Sequence, residues 1–205
     1  LPTLPFKFEK FNLTVRPSFP LAAAPYINDA GHWDLKRGFG DMVLMGLAGS
    51  ATKGGFLYSV GPTFVFPTAS SPQLGKNQWQ VGPAALAGIL KKWGVIGVLW
   101  QHWWGFGAPE GEEKVNVGTA QLFYWFSAGK GWQIGGSPVT TANYVQGSDI
   151  SFVLPLNFGV AKTVLAGNLP IKFTVQGQYF VTRPDVLGQS WGVFFQITPV
   201  IKVPW

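Results

Sequence analysis

The 205-residue chain has no cysteine. Disulfides, thiol catalysis and zinc–cysteine sites are therefore excluded. Charged residues make up only 12% of it, against about 25% in ordinary soluble domains. Histidine is represented by His32 and His102 alone. With no Ser–His–acid spacing and no two-histidine metal motif, neither an enzyme nor a bound metal or cofactor is expected. There is no run of about 18 apolar residues, which excludes a transmembrane helix. The net charge is +6, yet Lys and Arg are scattered and form no basic–aromatic module, so nucleic acid is not an expected partner. The chain opens at Leu1 without a basic-then-apolar leader. The expectation is a removed signal peptide or a start inside the mature protein.

Aromatics and glycine are abundant: 16% aromatic, with 10 Trp, 17 Phe and 27 Gly. A soluble domain with so few charges and so many rings would struggle to keep its outside wet. The rings sit in alternating runs. In 169–184, Ile171, Phe173, Val175, Gly177, Tyr179 and Val181 share one parity, and Lys172, Thr174, Gln176, Gln178 and Thr182 the other. Phe180 is the exception, and Arg183-Pro184 closes the run. Successive side chains of a strand point to opposite faces, so this strand has one apolar and one polar face. Similar strands are expected at 6–19, 36–49, 56–66, 78–90, 95–106 (apolar on both faces), 115–127, 132–144, 150–164 and 191–203. The parity of 36–49 is not determined by the pattern.

The connections sort into two kinds. Those at 50–55, 91–94, 128–131 and 165–168 are short and often carry lysine. Those at 20–35, 67–77, 107–114 and 185–190 are longer and hold most of the acids, with 145–149 a short exception. Outer-membrane barrels have short periplasmic turns and longer outer loops. The expectation is one domain, 1–205: an all-β, up-and-down antiparallel transmembrane β-barrel of about ten strands in a bacterial outer membrane. Its expected partners are the lipid bilayer, lipopolysaccharide and a small-molecule solute.

With the apolar parity toward lipid, Arg16, Gln80, Gln101, Gln121, Gln133, Asn143, Lys172, Gln176, Gln178 and Gln196 face the lumen. The rings of Trp103, Phe123, Trp125, Phe180 and Phe194 face it too. Amides suit a neutral polar solute, or they satisfy one another and water. Rings line a path for aromatic solutes or fill a small barrel. Trp79, Trp93, Trp104, Trp132, Tyr144 and Trp191 lie near strand ends on the outer parity, as membrane-interface aromatics do. Glu110, Glu112 and Glu113 read as a solvated acidic loop, with a divalent ion bridging lipopolysaccharide as the alternative.

Several blocks resemble one family. They are Gly61-Pro62-Thr63-Phe64-Val65-Phe66-Pro67-Thr68-Ala69, Leu74-Gly75-Lys76, Trp79-Gln80-Val81-Gly82-Pro83, the run 135–143 (GGSPVTTAN) and the run 179–185 (YFVTRPD). In consistent order over roughly 36–205, the chain resembles the MetA-pathway of phenol degradation family of outer-membrane proteins. The resemblance implies a β-barrel linked to uptake of aromatic or other apolar compounds, without catalytic residues. Family members carry further strand sequence before the region matching residue 36, which implies twelve strands if an N-terminal hairpin is missing here. The aromatic ending at Trp205 resembles the assembly signal of bacterial outer-membrane proteins. The expected function is a passive channel for small neutral compounds, aromatic and hydrophobic ones included. The alternative is a structural or partner-binding barrel with a plugged lumen, in a homo-oligomer or with other outer-membrane proteins. A soluble lipocalin-like binder is the third reading.

Overall fold

The computed structural model describes residues 3–28, 30–144, 151–183 and 189–201. Fourteen strands occur in it: β1 (Leu4–Lys7), β2 (Asn12–Ser18), β3 (Leu21–Ile27), β4 (Trp33–Phe39), β5 (Met42–Ala51), β6 (Phe56–Phe66), β7 (Trp79–Lys91), β8 (Gly94–Phe106), β9 (Asn116–Gly129), β10 (Trp132–Gly136), β11 (Val139–Asn143), β12 (Ser151–Ala166), β13 (Leu169–Thr182) and β14 (Trp191–Pro199). A 3-10 turn, Pro72–Leu74, lies in the loop before β7. Among the described residues no helix is long and apolar enough to cross a membrane.

Alternation makes these segments strands, and glycine turns them. Lys130 and Gly131, between β9 and β10, both have positive φ, 48° and 78°. That pattern suits a two-residue hairpin whose twist matches the strands. Neighbours pair antiparallel in the order β1-β2-β5-β6-β7-β8-β9-β10-β12-β13-β14. β11 pairs with β9 and β12, the strands that also flank β10. β10 and β11 are thus one stave interrupted at Ser137-Pro138, where proline cannot donate to the ladder. Ten long staves result, with β1 added at one end and β3–β4 a separate hairpin.

The chain is an all-β barrel. Its inward side chains meet across strands that are not neighbours. The Trp103 indole on β8 donates to Thr63 Oγ1 on β6 at 3.2 Å, and Lys172 Nζ on β13 lies 4.8 Å from the Trp125 ring centroid on β9.

The strand boundaries depart from the pattern reading in five places, the first being the split of 132–144 into β10 and β11. The stretch 6–19 is two strands, with Phe8 and Phe11 stacked at 4.8 Å across the connection. The stretch 20–35 is no loop: β3 and β4 pair from Leu21–Phe39 to Ile27–Trp33. Its tip closes where Asn28 Oδ1 accepts from the amides of Ala30 and His32. The stretch 36–49 breaks at Gly40-Asp41. The last strand ends at Pro199 rather than 203.

Candidate functional site

Cross-strand register divides each stave into an outward and an inward parity. Outward residues include Val60, Trp100, Leu122, Phe158 and Tyr179, all exposed. Trp79, Trp104, Tyr144 and Trp191 lie outward at the end that carries the longer loops, and Trp93 and Trp132 are exposed at the opposite end. Trp93 stacks with Phe126 at 5.7 Å. Lys162 covers the Trp132 ring at 4.8 Å and donates to the Lys130 carbonyl at 2.6 Å.

The inward parity holds Arg16, Gln101, Trp103, Gln121, Phe123, Trp125, Gln133, Lys172, Gln176, Gln178, Phe180 and Gln196. They do not form one surface. Along β5–β9 the interior is mostly apolar. Met45, Leu47, Ala84 and Leu99 are buried and packed with Leu86 and Phe123. Glycine makes room for the ring: a Cβ on Gly97 would stand 2.5 Å from Phe123 Cζ. Inward Gly88 lies next to the same ring.

On the other side the interior is polar and centres on the break between β10 and β11. The Trp125 indole donates to Ser137 Oγ at 2.9 Å, and the Ser137 amide donates to Gln176 Oε1 at 2.8 Å. From outside, the Tyr124 hydroxyl donates to the Asn157 carbonyl. The Leu122 amide donates to the Pro138 carbonyl at 3.0 Å. Backbone groups freed by the break are satisfied from both faces, as buried polar groups require. The Asn157 side chain is 5% exposed and has no hydrogen-bond partner among the described residues. Farther along this wall, Phe194 and Gln196 are exposed although they point inward.

Two interior cavities lie in file along β2. One, of about 330 Å³, is lined by Asn12, Thr14, Arg16, Leu47 and Ser59 among others. The next, of about 210 Å³, is lined by Arg16, Ser18, Met45, Leu99, Gln101, Trp103 and Gln121 among others. Arg16 borders both. Gln101, Trp103 and Gln121 share its second cavity, whereas Gln133, Lys172, Gln176, Gln178, Phe180 and Gln196 line neither.

The longer loops are tied down by residues that pattern reading passed over. Asp41 accepts from the amides of Ala69 (3.1 Å) and Lys76 (2.8 Å), and Thr68 Oγ1 accepts from the Met42 amide at 2.8 Å. Gln78, 2% exposed, accepts from the Val115 amide at 2.9 Å and donates to the Glu113 carbonyl at 3.1 Å. The available signal was a lone acid beside a strand-ending glycine and an amide just before a strand. Glu110, Glu112 and Glu113 form no metal-ligating group among the described residues. His102 points outward, 2.8 Å from Asn116 Oδ1 and between Trp100 and Trp104 (ring centroids 6.2 and 4.4 Å). Asp29, which neighbours His32 in sequence, lies outside the described residues.

No protein-family model matches the chain, and no curated protein matches its sequence.

Proposed function

We propose that this barrel spans a bacterial outer membrane and passes small organic molecules, aromatic ones included, by diffusion along the β2 wall. The observation that carries the proposal is the pair of cavities in file, about 330 and 210 Å³, both bordered by Arg16 and lined by aliphatic side chains together with hydroxyls, amides and one indole. The membrane setting rests on the outer surface. Its exposed rings and aliphatic side chains form a band far larger than soluble proteins leave uncovered. The 13 residues of β8 give about 43 Å of strand at ~3.3 Å each, or about 33 Å along the axis at a tilt near 40°, enough to cross the hydrocarbon core. The resemblance to the phenol-degradation family supports the same reading.

The test is release of small solutes from liposomes carrying the refolded protein. Release of benzyl alcohol-sized molecules above protein-free liposomes, with a cut-off at larger solutes, is expected. A heat-modifiable, β-rich protein that adds no flux would overturn the channel. The packed cluster of Met45, Leu47, Ala84 and Leu99 favours a second reading, a plugged barrel serving as scaffold for a partner, and that zero-flux result would select it.

A further inference from the structure

The staves contain no Asp or Glu: the acids of the chain are Glu9, Asp29, Asp34, Asp41, Glu110, Glu112, Glu113, Asp149 and Asp185, all outside the ten long strands. Among the described residues the barrel wall therefore turns cations inward without carboxylates. Lys172 has the Trp125 ring for a neighbour. Arg16 is half-buried, and among the described residues it has no hydrogen-bond acceptor, ion pair or ring partner. A guanidinium withdrawn from water without a partner is costly. It is also the side chain best shaped to grip a carboxylate through two parallel hydrogen bonds.

The second cavity completes such a site. Val43, Met45 and Leu99 supply an apolar bed, Trp103 a ring, and Gln101 and Gln121 neutral donors. Trp103 is held by its hydrogen bond to Thr63, which is fully buried. A volume of about 210 Å³ lies below the usual range for drug-sized ligands, which limits the occupant to something near a single ring.

We propose that the cavity beside Arg16 binds a small organic carboxylate, its anionic group on the guanidinium and its apolar body against Met45, Leu99 and Trp103. The inference rests on the diffusion path proposed above and replaces the expectation of a strictly neutral cargo. It is tested by calorimetric titration of the folded barrel in detergent at pH 7 with sodium benzoate and with benzamide, a neutral molecule of the same shape. Benzoate should bind at least about tenfold more tightly, the worth of a hydrogen bond to a charged group. Arg16→Gln should erase that preference, bringing the two affinities within about twofold of each other. Equal affinities, no benzoate binding, or a preference that survives Arg16→Gln would each overturn the proposal. Should the variant fail to fold, the wild-type ratio decides alone. Solute flux separates the two proposals: flux without benzoate preference sinks the carboxylate site only, and benzoate binding without flux sinks the channel only.

Discussion

The wall from β5 to β9 and the wall from β12 to β14 use the same alternation but enclose different interiors. The first presses Met45, Leu47, Leu99 and Phe123 into a packed cluster. The second buries Asn157, Thr174 and Gln176 and leaves Phe194 and Gln196 accessible. Both point apolar residues outward. The difference arises inside, where the first wall sets Gly88, Gly97 and Ala84 opposite large side chains, so that rings and branched chains can lie flat. Parity therefore determines which residues enter a barrel, and the size of the facing residues determines whether they fill it.

The comparison can be broken from the packed side first. Leu99→Ala should cost about 2–5 kcal/mol, the price of a cavity in a packed core, read as a fall in the urea midpoint of the refolded protein. The same change at Phe194 should leave that midpoint nearly unmoved, because its ring is already accessible. Gly97→Val drives new carbon into Phe123 and the Ala87 carbonyl and should cost about 1–3 kcal/mol through overpacking. On the polar side, Gln176→Ala strips the Ser137 amide of its acceptor and should cost about 1–2 kcal/mol, the penalty of a buried unpaired donor. Next to the near-neutral Phe194→Ala, the smallest effect belongs to Lys172→Met, which removes the cation over Trp125 and should cost less than about 1 kcal/mol. If Gln176→Ala proved as severe as Leu99→Ala, the polar wall would be as rigid as the packed one and the contrast would fail.

Much of the fold could be read from alternation alone. The strands β6, β7, β9, β12 and β13 and the turns between them lie within a few residues of where parity and glycine place them. Other features depend on contacts that residue order does not carry. The hairpin β3–β4 contains Pro20-adjacent Leu21, Pro25 and a run of alanines, which give no alternation. Its ladder is held by backbone pairing and by the Asn28 side chain at the tip. The break at Ser137-Pro138 leaves register and parity unchanged, with Gly135 opposite Trp125 before it and Val139 opposite Gln121 after it, so the alternation gave no sign of the interruption. Strands β5 and β8 are apolar on both faces, so nothing local marked Leu99 or Met45 as members of the buried cluster. The pairing of Arg16 with Gln101, Trp103 and Gln121 around one cavity joins β2 to β8 and β9, a meeting that exists only once the sheet has curled.

The central claim is that the outward parity faces lipid and the inward parity does not. The chain has no native cysteine, so single spin labels at Leu122→Cys and Gln121→Cys report adjacent residues of β9 with no background. In liposomes the label at 122 should collide freely with oxygen and be hidden from a water-soluble nickel chelate, while the label at 121 should be far less accessible to oxygen. Equal accessibility of both positions to the nickel chelate would contradict the account.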